Sequence, residues 1–193
     1  LITTNYSQGS LTINNGIDLS GEGGLVWTKG RTEGFNHYLT DTERGIKKYL
    51  SSNNTEAEQT SNFDSVQGFN SNGFNYYSGT SDLHDYASWT FRKAPKFFDI
   101  VTYTGDGNTS QTISHNLGTT VGHMAVKPSS RTGNWRNYHR TIGATGCLFF
   151  NLLNATSTTV NHWNNTEPTD SSFTVGINSN LSGETYVAYL FAH

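Results

Sequence analysis

The sequence predicts an all-β chain: two tandem, internally duplicated β-sandwich units of jelly-roll type, packed together. Three observations carry this. Asn, Ser, Thr and Gly make up much of the chain, and these residues favour turns and strand edges over helix interiors. Apolar residues fall in short runs that alternate with polar ones, the period of a half-buried strand. The chain also repeats itself. Slid by 98 positions, Gly24 falls on Gly122, Lys29 on Lys127, Leu50 on Leu148, Asn53 on Asn151 and Ala57 on Ala155. At an offset of 99, Gly34 meets Gly133 and Phe74 meets Phe173; at 100, residues 86–91 meet 186–191. A drift of two residues over a whole unit is what short loop insertions produce. The units are 1–97 and 98–193.

The elements follow in order. Residues 3–13 suggest a hairpin around a Gly/Ser turn, and residues 25–29 a short apolar strand closed by Lys29. Residues 36–40 and 46–50 give two more strands, and Asn72-Gly73 turns the chain between aromatics that alternate in and out. In 86–91 the pleat puts Ala87, Trp89 and Phe91 on one face and Tyr86, Ser88 and Thr90 on the other. Residues 99–103, 111–114, 124–127, 137–140, 146–150, 172–177 and 184–191 repeat the scheme. The best helix signal, 41–49, is interrupted by Gly45 and amounts to one turn at most. Pro95 closes the first unit, and 92–97 is a tight connector without a Gly/Ser run.

Composition removes several function classes. Charged residues are 14% and the formal net charge is −3, without the concentrated basic face that nucleic-acid binding needs. No apolar stretch approaches the roughly 18–20 residues of a membrane-spanning helix. Aromatics at 13% argue against disorder. The lone Cys147 rules out an internal disulfide and reads as a buried small residue. A start at Leu1 and a strand-like end at 189–191 suggest a segment of a longer polypeptide.

Few residues invite chemistry. His37 and Asp41 are four apart, but on a strand running into a turn, where they converge poorly on a metal. There is no Gly-x-Ser-x-Gly elbow, and the acids are scattered through turns rather than paired for glycoside cleavage. Residues 104–108 lack the spaced acid series of a calcium loop and read as a bulged turn. We therefore assign no catalytic residue, metal or cofactor, and read the chain as non-enzymatic. Two loops do mix aromatics with Asn, Arg and His, as sugar-binding plates do: 133–140 and 161–165. They nominate Trp135, Asn137, Tyr138, His139 and Trp163 as a glycan site. The opposing reading makes these tryptophans plugs or interface residues.

The combination GGLVWTKGR (23–31), YLSSNN (49–54), NGF (72–74), YASWTFRKAPKFFDIVTYTGDGNTSQTISHNLG (86–118), RTGNWRNYHRTIGAT (131–145) and SGETYVAYLFAH (182–193) resembles a domain abundant in marine bacteriophage genomes. That domain occurs in large virion-associated, tail-fibre-like proteins, often beside modules similar to concanavalin/laminin-G sandwiches. The resemblance covers nearly all of the chain from Gly23, with 97–127 as its most specific part. It implies a virion structural module, a tail fibre or capsid-surface decoration, with no catalytic residues to carry over. The expected partners are further copies of the chain, a homotrimer suiting a fibre, together with other virion proteins. The alternative is an adhesin that binds host surface polysaccharide; a glycan-degrading enzyme ranks third.

Overall fold

The computed structural model describes residues 2–6, 9–31, 34–79 and 84–193. They form two compact units, and among them there is no α-helix. The first unit comprises 1–53 with 58–93, the second 54–57 with 94–193. The boundary lies at Lys93/Ala94 rather than 97/98. Ala94 bridges Phe98 through N–H to carbonyl bonds in both directions, so the Pro95 turn folds onto the strand that follows it.

The described residues of the first unit form nine strands: β1 (Ile2–Tyr6), β2 (Gly9–Asn14), β3 (Gly24–Gly30), β4 (His37–Asp41), β5 (Lys48–Ser51), β6 (Gln59–Thr60), β7 (Ser65–Asn70), β8 (Gly73–Ser78) and β9 (His84–Arg92). One antiparallel sheet runs β1-β9-β3-β4-β5-β6, the other β2-β8-β7. Ile13, Val66, Phe74 and Tyr76 of the smaller sheet meet Val26 and Tyr86 of the larger in one core. This is a β-sandwich arrangement. The hairpin expected at 3–13 is not formed. β1 pairs with β9 and β2 with β8, so the two strands enter different sheets; residues 7 and 8 of the expected turn lie outside the described residues. The Asn72-Gly73 turn is present. Gly73 has φ +139°, and an added Cβ would stand 1.9 Å from the Ile13 carbonyl oxygen, so only glycine fits.

The second unit has β10 (Phe98–Thr104), β11 (Ser110–Ser114), β12 (Val121–Pro128), β13 (Arg136–His139), β14 (Leu148–Phe149), β15 (Ser172–Gly176) and β16 (Thr185–Ala192), with a 3-10 turn at Ile177–Ser179. Its sheets run β10-β16-β12-β13-β14 and β11-β15. Ile113 and Phe173 of the small sheet and Met124, Val126, Tyr138 and Ala188 of the large one share a core with Trp163 and Cys147.

Each strand order can be read onto the other: β1-β9-β3-β4-β5 onto β10-β16-β12-β13-β14, and β2-β8 onto β11-β15. The registers follow the sequence offsets. Trp27 faces Trp89 and Lys29 faces Ala87, while Ala125 faces Tyr189 and Lys127 faces Val187. Ile13 faces Phe74, and Ile113 faces Phe173.

Candidate functional site

In the first unit, β3 turns Val26 into the core, so the pleat sends Leu25, Trp27 and Lys29 to the other face of the sheet. β9 sends Trp89 and Phe91 to that face, and β4 adds His37 opposite Lys29. Trp27, His37, Trp89 and Phe91 line an open groove of about 400 Å³. Trp89 is 38% exposed. The two tryptophan rings lie edge to face at 6.0 Å, and Trp27 meets the His37 ring in the same way at 5.8 Å, a geometry suited to ring quadrupoles. The Trp27 indole N–H donates to His37 Nδ1 at 3.0 Å. That nitrogen is therefore an acceptor, and the neutral imidazole carries its proton on Nε2. Burial, and then the Lys29 ammonium, hold the His37 pKa below its ordinary value and keep the ring in this form. Asn53 Oδ1 accepts the His37 backbone N–H at 3.1 Å, and Asn53 Nδ2 donates to Asn36 Oδ1 at 2.8 Å.

The second unit has a different surface at the corresponding positions. Asn151 Oδ1 accepts the Trp135 backbone N–H at 2.9 Å, and Asn151 Nδ2 donates to Asn134 Oδ1 at 2.9 Å. The bond pattern is that of Asn53, His37 and Asn36, displaced by 98 residues. Here, however, the ring is covered. Trp135 is 0% exposed and stacks on Tyr189 with centroids 6.0 Å apart.

Beside Trp135 sits Lys127, 0% exposed on an apolar strand. Its ammonium donates to the carbonyl oxygens of Glu56 at 2.7 Å, Thr55 at 3.2 Å and Pro128 at 3.3 Å. The Gly133 N–H adds a bond of 2.8 Å to the Thr55 carbonyl. A Cβ on Gly133 would stand 2.6 Å from Pro128 Cγ, so glycine lets this backbone come close. The chain segment Asn54–Ala57 is thus strapped down by one lysine and one glycine. A buried ammonium needs such acceptors, because its desolvation is otherwise prohibitive.

These positions correct the glycan site read from sequence. Trp135, Asn137, Tyr138 and Trp163 are all buried and cannot serve as sugar plates. Trp163, 1% exposed, is a core residue whose indole N–H donates to the Gly146 carbonyl at 2.9 Å. Tyr138 lies edge-on to it and donates its hydroxyl to Glu167 Oε2 at 2.6 Å. His139 is exposed, and its Nδ1 accepts the Thr141 N–H. The structure does not gather the five residues into one surface. The alternation in 86–91 was the signal for the open groove, since it put Trp89 and Phe91 on one face. The signal for Lys127 was its recurrence with Lys29 at the ends of matching apolar strands.

Several other chemistry-bearing side chains have structural partners. Asp41 pairs with Arg44 at 2.6 Å and accepts the N–H groups of Glu43 and Arg44. Asp106 accepts from the Asn108 N–H and from Asn180, making the turn at 104–108 an Asx turn. Among the described residues, no three His, Cys, Asp or Glu side chains converge as a metal site would require, and no helix is long and apolar enough to cross a membrane.

Fold and groove together define an all-β protein of two antiparallel units, one of which opens an aromatic surface. The chain belongs to a family described as a domain of unknown function, DUF7483, whose model matches residues 2–193. No curated protein and no solved structure matches it.

Proposed function

We propose that this chain is a non-catalytic structural module of a bacteriophage particle, from a tail fibre or capsid-surface decoration, which joins copies of itself and displays its loops. The observation that carries this reading is open apolar surface, two stretches of which stand out beside single exposed side chains such as Phe63, Phe97 and Val160. One is the Trp27–Trp89 groove; the other is the segment around Leu152 and Leu153, where Leu153 is fully exposed. Open apolar surface of this kind is characteristic of association sites. The engagement of Asp41, Asp106 and Glu167 in structural bonds supports a building role. The sequence resemblance supports the location on a virion surface.

Sedimentation velocity of the full chain from 1 µM to 1 mM, on the order of the range over which weak protein contacts form, tests the reading. Concentration-dependent growth beyond the monomer is expected. A chain that stays monomeric throughout would overturn it.

A second reading uses the same groove. An exposed tryptophan that shares a groove with His37, whose backbone N–H is held by Asn53, has the composition of a sugar subsite, with a stacking plate beside hydrogen-bonding groups. Titrating bacterial surface polysaccharides against tryptophan fluorescence tests it, with Trp89→Thr as control. A response that is absent, or identical in the variant, would remove it.

A further inference from the structure

Inside the second unit a guanidinium is buried with no acid beside it. Arg136 stands on β13 opposite Val126 and Phe149, and the pleat puts it on the same face as Tyr138, which points into the core. Its Nε and Nη1 are buried and have no hydrogen-bond partner. The groups close enough to exchange electrostatic influence with it are Cys147, Tyr103, Tyr186, His162 and Arg131. Burial pushes the Cys147 thiol up to about 11 and the Tyr103 hydroxyl well above its ordinary value, and it holds the His162 imidazole down at about 4. All three are therefore neutral at pH 7. Arg131 is a second cation. Its Nη1 donates to the Thr132 carbonyl at 2.9 Å, while its Nε is buried without a partner. Three acids of this unit bond elsewhere: Asp106 to Asn108 and Asn180, Glu167 to Tyr138 and Ala144, and Glu184 to Ser130. Among the described residues, neither arginine forms an ion pair.

We propose that Arg136 and Arg131 together bind a small oxyanion, a carboxylate, sulfate or phosphate, beside the β12–β13 connection. A guanidinium cannot shed its proton to escape burial, so a buried one without a counter-charge is costly. A second guanidinium nearby adds repulsion. One anion answers both costs. The N–H groups left over are of the kind that bind oxyanions best, since charge-assisted bonds from a planar guanidinium match carboxylate and phosphate oxygens. Tyr186 adds a third donor. Its oxygen accepts the Leu181 N–H at 3.1 Å, which leaves its own proton to give. The hydroxyl of Tyr103, stacked on Tyr186 with centroids 5.1 Å apart, is already spent on the Ser179 carbonyl at 2.9 Å. Arg131 and Arg136 each keep part of their surface exposed, which gives an ion its way in.

The test titrates the full, nitrogen-15-labelled chain with sodium acetate, sulfate or phosphate, exchanged for chloride at constant ionic strength. The arginine Nε–H resonances are followed. Those of Arg131 and Arg136 are expected to shift together and saturate, half-way at about 1–10 mM, the range for one small ion held by a few charge-assisted bonds. A tighter response to acetate than to sulfate and phosphate identifies a carboxylate, and the reverse order a tetrahedral ion. Arg136→Met is expected to weaken the binding at least about tenfold, the loss of one charged partner. In chloride the same variant is expected to unfold at the wild-type midpoint or above it, because it removes a charge without a counter-ion. Adding the anion should then raise the wild-type midpoint more than the variant's, a difference that cancels the general stabilisation sulfate gives any protein. Arg131→Gln replaces Arg136→Met if circular dichroism shows that the latter is misfolded. Resonances unmoved up to about 50 mM, well past that range, or a variant that responds as the wild type does, would overturn the site. Shifts that follow chain concentration alone would assign the arginines to a contact between copies and overturn it too.

Discussion

Replacing Lys127 by methionine tests whether one buried lysine holds residues 54–57 in place. Methionine keeps the length and apolar stem of the side chain and removes the three donors. A hydrogen bond from a charged donor is worth about 1.5–3 kcal/mol net. The 2.7 Å bond to the Glu56 carbonyl counts in full, and those at 3.2 and 3.3 Å at a fraction. Methionine escapes the cost of desolvating an ammonium, which offsets part of the loss. The Thr55 carbonyl keeps its bond from the Gly133 N–H. The balance is a destabilisation of about 2–4 kcal/mol, or roughly 5–15 °C in midpoint for a chain of this size. Two measurements check it. Thermal unfolding by circular dichroism reads the midpoint. Amide exchange at Gly133, whose N–H bonds the strap, reads whether the strap has come away. A midpoint within about 2 °C of wild type, together with unchanged Gly133 protection, would refute the assignment of Lys127 as the anchor.

Two further predictions concern the second unit's core. His162 is buried, with Nε2 bonded to the Ser157 hydroxyl and Nδ1 beside the Asn178 amide. Burial, and then Arg136, lower its pKa from 6.5 to about 4. The unfolded chain therefore binds a proton that the folded one refuses, and stability falls as pH drops from about 6.5 to 4 and levels off below that, by on the order of 2 kcal/mol. His37, His115 and His123 are shifted the same way by burial, so the difference between wild type and His162→Gln in urea midpoints isolates the residue; parallel curves would reject it. Cys147 is fully buried, and burial raises its thiol from 9.0 to about 11. At pH 8 its thiolate fraction is about a hundredfold below that of a free thiol. Alkylation of the native chain should be negligible over hours and complete within minutes in denaturant, and prompt native labelling would contradict this core.

The strands were legible because their signals are local. Alternation in 86–91, 99–103 and 111–114, and the Gly punctuation between runs, lie within a few residues of what they specify. Strand partners are not local. Residues 3–13 looked like a hairpin because β1 and β2 are neighbours in sequence, yet each found its partner at least 59 residues away, in β9 and β8. Burial of a polar-flanked tryptophan is equally hidden. Asn134-Trp135-Arg136 reads as surface, but Asn151 fixes the Trp135 backbone and Tyr189 covers its ring. Trp163 sits between His162 and Asn164 and is still a core residue, because the Gly146 carbonyl satisfies its indole. In each case the deciding partner lies 16 or more residues away. The sequence showed which residues share a face, and could not show which face would be covered.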